Sequence, residues 1–281
     1  MDLKTLFYIQ EVLKESGYYD ISRISKEIFD FSQVESVELE LILDRIRQQE
    51  PWEYIRGYAY FRGERYIVNR NTLIPRIETE QLVDIAISLI KENSYSKVFD
   101  IGTGTGCIII SLAKEIDNRE NRISFIATDI STHALDIAKQ NASNLKVKNI
   151  NFKSENLINK FWLSNESLII ANLPYIPSKM YQKLQPSVKD YEPKIALEGG
   201  RDGLSYYKKL FSIIEKSEKE VDLLIEIEPT TLSAFKKILE NKQIKKIYKD
   251  YRGKKRFLLI HFSWFDLNAL LYPSPPNFNF N

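Results

Sequence analysis

Asp100-Ile-Gly-Thr-Gly-Thr-Gly-Cys-Ile108 is the stretch whose reading decides the fold. It follows Lys97-Val-Phe-Asp-Ile101, an apolar run of strand length, and opens the apolar helical pattern Ile108–Ala113. The chain has only 10 glycines in 281 residues, about half the usual share of ~7%. Six of them fall in two windows, 102–106 and 199–203. Glycine costs conformational entropy wherever a side chain would serve, so such clusters mark close backbone approach or positive φ. In open α/β sheets ligands lie at the carboxyl ends of strands, where the strand order reverses. A dinucleotide site calls for Gly-x-Gly-x-x-Gly with phosphate on the helix N-terminus. Here the order is Gly-x-Gly-x-Gly, and Asp100 precedes it. An acid there repels phosphate and suits a sulfonium or ammonium group, which favours S-adenosylmethionine over NAD.

Outward from this loop, strands and helices alternate. Strands are expected at 97–101, 123–128, 150–153, 167–171, 221–227, 246–250 and 256–262, with a helix at 79–91 before them. Such alternation predicts a seven-stranded, mostly parallel sheet covered on both faces. Only Arg252–Lys255 separates the last two strands, so they form an antiparallel hairpin. Residues 1–50 read as helices: Leu3, Leu6, Phe7 and Leu13 on one face, Ile21, Ile24, Ile28 and Phe29 on a second helix, Leu39, Ile42, Leu43 and Ile46 on a third. Ser32 with Glu35 has the spacing of a capping box. Residues 54–68, from Tyr54 to Val68 with Gly63 inside, read as a hairpin linking two domains. The proline-rich tail 266–281 has no periodicity.

Composition narrows the classes of function. One cysteine, Cys107, excludes an intrachain disulfide and a cysteine-cluster metal site, and two histidines, His133 and His261, disfavour a histidine metal centre. No metal is expected. A net charge of +2 does not by itself point to nucleic acid. No apolar run approaches the ~18 residues of a membrane span, and no signal-peptide core is apparent, so a cytoplasmic protein is expected.

Two further strand ends carry chemistry. Asp129 ends the second strand, where a carboxylate accepts from both hydroxyls of a ribose; the alternative is a helix N-cap. Ala171-Asn-Leu-Pro-Tyr-Ile-Pro177 follows the 167–171 strand. The Asn172 side-chain carbonyl and the Leu173 main-chain carbonyl can converge on one NH2 group, while Pro174 stiffens the turn and Tyr175 offers a flat face.

Glycine loop, ribose acid and Asn-Leu-Pro-Tyr together resemble a class I S-adenosylmethionine-dependent methyltransferase acting on a planar NH2 group. Leu73-Ile-Pro-Arg-Ile-Glu-Thr-Glu80, Glu192-Pro-Lys-Ile-Ala-Leu-Glu-Gly-Gly-Arg-Asp-Gly-Leu204, Pro51-Trp-Glu-Tyr-Ile-Arg-Gly57 and the small helical N-terminus narrow the resemblance to the release-factor glutamine methyltransferases of HemK/PrmC type, over about residues 1–262. The resemblance implies a Rossmann-like methyltransferase sheet over 75–265 and a helical substrate-recognition domain over 1–50, joined by the linker with a β-hairpin over 51–74; the tail over 266–281 reads as flexible from its prolines and lack of periodicity. It implies transfer of a methyl group from S-adenosylmethionine to the side-chain amide nitrogen (N5) of glutamine in the Gly-Gly-Gln motif of a peptide-chain release factor, by a monomer. Asp100, Gly102, Thr103, Gly104, Thr105, Gly106, Asp129, Asn156, Leu157 and Asn172 would serve the cofactor. Asn172, Leu173, Pro174 and Tyr175 would serve the glutamine. The family usually has Pro at Leu173, where the role is that of a main-chain carbonyl, and an acid at Asn156, where an amide oxygen still accepts. Two rival readings stand: an RNA or DNA adenine-N6 methyltransferase, and a catalytically inactive release-factor-binding adaptor. The 199–203 glycines read equally as a pocket-side loop or a plain turn. Arg76, Glu78 and Glu80 read as pocket-mouth residues or, in the favoured reading, Thr79 simply caps the helix that follows. His133, His261 and Cys107 read as structural.

Overall fold

In the computed structural model, which describes residues 2–116, 122–239 and 243–263, the chain opens with α1 (Leu3–Glu15), α2 (Ile21–Val34), α3 (Leu39–Arg47) and the short α4 (Trp52–Arg56). The expected tail over 266–281 lies outside the described residues. Asp2 caps α1 by accepting from Lys4 N and Thr5 N. Ile9, Val12 and Leu13 form the buried stripe of α1, whereas Leu3 and Phe7 are each 64% exposed. At roughly 100° per residue Leu3 and Phe7 fall opposite that stripe, so of the face expected for α1 only Leu13 is fully buried. Ser32 and Glu35 close α2 instead of capping α3: the Ser32 hydroxyl donates to Phe29 O, and Glu35 is the C-cap. Trp52 and Ile55 join the helical core, and buried Arg56 donates to Glu27 at 2.5 Å.

The hairpin follows as β1 (Tyr58–Phe61) and β2 (Glu64–Ile67); Tyr54, expected within it, lies on α4. Arg62 (φ 50°) and Gly63 (φ 75°) are its two central residues. Positive φ at both is the signature of a type I′ turn.

From α5 (Glu78–Glu92) the layers alternate: β3 (Lys97–Ile101), α6 (Cys107–Glu115), β4 (Ser124–Asp129), α7 (Thr132–Asn144), β5 (Ile150–Ser154) and β6 (Ser167–Ala171). Two short helices, α8 (Ser178–Tyr181) and α9 (Pro186–Lys189), precede α10 (Ser205–Glu215), β7 (Val221–Glu226), α11 (Leu232–Ile238), β8 (Ile244–Lys249) and β9 (Lys255–Phe262). Seven strands pair in the order β5-β4-β3-β6-β7-β9-β8, parallel except where β9 meets β7 and β8. Successive residues of the central strands feed opposite layers: Val98, Leu168 and Ile170 pack on one side, Phe99, Ile169 and Ala171 on the other. A sheet buried on both faces needs apolar residues at both parities. The chain runs outward from β3 through β4 to β5, then returns to β6 on the other side of β3. That reversal opens a crevice at the carboxyl ends of β3 and β6. Buried Asn141 of α7 braces it, accepting from Ile67 N and donating to Ile67 O and Thr105 O.

The second glycine cluster belongs to the same edge. Ile176 pairs with Glu198 in a bridge, with Ile176 N donating to Leu197 O and Gly199 N to Ile176 O. A Cβ on Gly199 would lie 2.5 Å from Pro174 O, and one on Gly203 would lie 2.2 Å from Tyr175 O. The cluster is therefore a turn, and it is also a backbone surface pressed onto the 172–175 loop. Gly203→Ala is expected to destabilise the protein by about 2–4 kcal/mol, combining left-handed strain with overpacking. Gly253 has the same positive φ but nothing within 4 Å of an added Cβ, so Gly253→Ala should cost only about 1–2 kcal/mol. Equal shifts in the denaturant midpoints of the two variants would refute the packing argument.

Candidate active site

The glycine loop closes the end of β3 with Gly102 (φ 72°), Gly104 (φ 55°) and Gly106 (φ 80°). Gly102 N and Thr103 N both donate to Thr128 O, which lashes the loop to β4. The three glycines serve different ends. At Gly106 a Cβ would come within 2.8 Å of Ile110 and 3.2 Å of Ala138, so its bareness is for helix packing. At Gly104 a Cβ meets nothing within 4 Å, and that backbone faces open space. At Gly102 a Cβ would sit 3.1 Å from Leu173 Cδ2.

Asp129 ends β4. Its Oδ2 accepts from Gly104 N and its Oδ1 from Ser131 N, both at 2.9 Å. It is not the helix cap; Ser131 is, accepting from Ala134 N. Burial raises the Asp129 carboxyl against the pull of those backbone donors. Each oxygen keeps a lone pair for a further donor. Asp100 is placed otherwise than as a wall of the crevice. It is fully buried beneath the loop, and the Thr103 hydroxyl donates to its Oδ2 at 2.6 Å while Oδ1 has no hydrogen-bond partner. Burial pushes its carboxyl up to about 7. Thr103 and Thr105 are buried with it and shape the loop from below.

A crevice of about 720 Å³, open mouth included, lies over these strand ends. Its lining includes Gly102, Gly104 and Asp129, Asn156 and Leu157, and Asn172, Leu173 and Pro174. Asn156 is exposed at the rim, its N–H donating to Glu155 Oε1. Leu157 takes φ 69°, a left-handed conformation costly for a bulky side chain, and the Thr128 hydroxyl holds it by donating to Leu157 O at 2.6 Å. Tyr175 is not among the lining residues; it packs on the apolar layer that holds Phe99 and Ile169.

Three residues that sequence reasoning missed anchor the far wall. Asn172 Nδ2 donates to Thr79 Oγ1 and to Glu226 Oε2, each at 3.1 Å, and Thr79 Oγ1 donates to the same Oε2 at 2.8 Å. This orients the amide: its nitrogen faces the buried carboxylate, and its carbonyl oxygen is left to the crevice. Burial pushes Glu226 up to about 7, opposed by the Thr79 hydrogen bond. The buried Tyr207 hydroxyl accepts from Leu173 N at 3.1 Å and lies 2.7 Å from Glu226 O, against 3.4 Å from Leu173 O. Its single proton serves the nearer acceptor, so the Leu173 carbonyl keeps acceptor capacity for a further donor. Thr79 thus backs Asn172 from beneath the crevice, and it is Ile77 that occupies the N-cap position of α5. A signal for Glu226 was present: a carboxylate at the end of Leu223-Leu-Ile-Glu226, an otherwise apolar strand. Arg76 pairs instead with buried Glu192 at 2.5 Å, and Glu80 accepts from Arg62 N. His133 is exposed on α7, His261 contacts Asp222 at 2.8 Å, and Cys107 is buried in α6, its thiol pushed up to about 12.

These residues fit S-adenosylmethionine. Open space over Gly104, an acid with spare acceptor capacity at Asp129 and an apolar wall at Leu157 match a nucleoside, and no basic side chain lines the crevice to demand phosphate.

A family profile described as a methyltransferase domain matches residues 92–198. A release factor glutamine methyltransferase of Dictyoglomus turgidum is 37% identical over 238 residues, covering 82% of this chain and 83% of that protein. One from Flavobacterium psychrophilum is 32% identical over 275 residues, covering 93% and 92%. One from Fusobacterium nucleatum is 32% identical over 253 residues, covering 86% and 70%. Among solved structures, the catalytic domain of hMettl16 in complex with a 3'UTR hairpin superposes with a TM-score of 0.52 at 15% identity, covering 71% of this chain and 75% of that one, a likeness of fold. Fold, site and these relatives agree: the chain belongs to the release factor glutamine methyltransferases, enzymes dependent on S-adenosylmethionine.

Proposed function

We propose that this enzyme methylates the side-chain amide nitrogen (N5) of the glutamine in the Gly-Gly-Gln motif of a peptide-chain release factor. The observation that carries the reading is the fixed orientation of Asn172. Its carbonyl oxygen and that of Leu173 are two neighbouring acceptors, and a primary amide offers two N–H donors to match. S-adenosylmethionine supplies an electrophilic methyl group on a sulfonium.

The protein's part is placement. An amide nitrogen is a poor nucleophile because its lone pair is delocalised, and no strong base stands among the residues assigned to the glutamine. Asn172 Oδ1 and Leu173 O hold the NH2 in a near-attack geometry and stabilise the positive charge that develops on nitrogen. Both acceptors are preorganised by buried hydrogen bonds, so no reorganisation is required at the moment of reaction. The surplus proton leaves to water through the open mouth of the crevice. Gly102, Gly104, Asp129, Asn156 and Leu157 hold the cofactor; Asp100, Thr103, Thr105 and Gly106 support the loop. Pro174 and Tyr175 stiffen the substrate loop.

The helical segment holds the release factor in this reading. A second cleft runs between it and the catalytic sheet, with Tyr19 and Asp20 on one bank and Arg76, Gln185 and Glu192 on the other. In this reading the enzyme acts as a monomer. No helix among the described residues is long and apolar enough to cross a membrane, and a release factor meets the enzyme in the cytoplasm.

Radiolabelled methyl transfer, offered release factor and RNA in parallel, tests the substrate. Label on the release factor is expected; label on RNA alone would replace this reading with the adenine methyltransferase, and label on neither with the inactive adaptor. Asn172→Ala should lower turnover by about 10²–10³-fold while S-adenosylmethionine still binds; wild-type turnover in that variant would remove Asn172 from the mechanism. Asp129→Ala should weaken S-adenosylmethionine by about 10²-fold, the worth of hydrogen bonds to a charged group. Calorimetry giving an unchanged Kd would remove Asp129 from the cofactor site.

A further inference from the structure

Glu226 touches both halves of the substrate clamp without lining the crevice. It ends β7, one residue beyond Ile225, whose partner on β6 is Ala171. That register sets Glu226 level with Asn172. The residue is 2% exposed. Its carboxylate accepts from Asn172 Nδ2 at 3.1 Å and from Thr79 Oγ1 at 2.8 Å. Its main-chain carbonyl lies 2.7 Å from the Tyr207 hydroxyl, which receives Leu173 N–H. A buried carboxylate is costly, and an apolar residue would suit the end of this strand better for stability alone.

We infer that Glu226 is a positioning residue for methyl transfer, setting the Asn172 amide through its carboxylate and the Leu173 carbonyl through Tyr207. Without the carboxylate only the Thr79 hydroxyl remains, and a hydroxyl can accept from the nitrogen end of the Asn172 amide or donate to its oxygen end. A flipped amide turns a donor toward the substrate NH2 and repels it. Tyr207 has a role tied to Leu173. Leucine has an N–H, buried here, which the tyrosine hydroxyl satisfies; a proline in its place would have none.

This inference rests on the proposed glutamine substrate. The test uses the full chain with release factor, S-adenosylmethionine affinity by calorimetry, and a melting curve for each variant. Glu226→Ala should lower kcat by about 10²-fold, the cost of a misplaced reacting group, with cofactor Kd unchanged within about threefold. Glu226→Gln, whose carbonyl still accepts from Asn172 and Thr79, should recover most of that loss. Tyr207→Phe should lower kcat by about tenfold. Leu173→Pro should restore part of it in the Tyr207→Phe background by removing the orphaned N–H. Wild-type kcat in Glu226→Ala, equal impairment in Glu226→Gln, or a parallel loss of cofactor affinity would overturn the positioning role. Strictly additive losses in the Tyr207–Leu173 pair would overturn its second arm. If the wild-type protein leaves the release factor unlabelled, the substrate reading fails on its own. The side-chain amide protons of Asn172 then decide the positioning role by NMR. They should be protected from solvent exchange in wild type and Glu226→Gln and unprotected in Glu226→Ala; equal protection in all three overturns it.

Discussion

Parallel pairing of β3 with β4 on one side and β6 on the other is the constraint from which the site follows. Ile101 lies opposite Thr128 and Ala171, so three strands end at one level. The glycine loop, Asp129 and Asn172 are the next residues out, or the last one in, on each. Strand register brings them to one level, and the positive-φ glycines then turn the loop after β3. β7 extends the same level, which is how a carboxylate so far along the chain arrives behind Asn172.

Around this edge the protein uses two kinds of support. Around the glycine loop the support is backbone: Gly102 and Thr103 N–H on Thr128 O, Gly104 N–H on Asp129, and a left-handed Leu157 held by Thr128. Around Asn172 it is buried side-chain chemistry, with Thr79, Glu226 and Tyr207 meeting behind the loop. Buried polar networks of this kind rigidify when every member is satisfied. The glycines at 199–203 complete the arrangement by letting one stretch of backbone lie directly on another.

The motifs legible in the sequence were those in which one short segment holds both the structural signal and the chemical group. Asp100–Ile108, Asp129 and Asn172–Tyr175 each pair a strand end with a candidate residue, and Gly102, Gly104, Asp129 and Asn172 do line the crevice while Asp100 and Tyr175 do not; the seven strands stand out by apolar runs between turn residues. Groups that act across the chain were not legible. Thr79 and Glu226 lie 147 residues apart and meet only once β7 is placed beside β6. Thr79 read as a cap because its local spacing supports that role equally well. Asp100 read as facing a ligand because sequence gives the order of residues and not the side of the loop on which a buried carboxylate falls. In α1 the apolar residues allow two phases, and only packing against α2 and α3 selects Ile9, Val12 and Leu13 over Leu3 and Phe7.

Leu173 is the shared wall of the two halves of the crevice. In the proposed reading its carbonyl belongs to the clamp, while its side chain, 3% exposed, rests against the backbone of Gly102. One leucine would then meet the cofactor through the glycine loop it packs on and the glutamine through its main chain. Were either ligand to shift it, the other would feel the shift, and linkage makes any such coupling reciprocal.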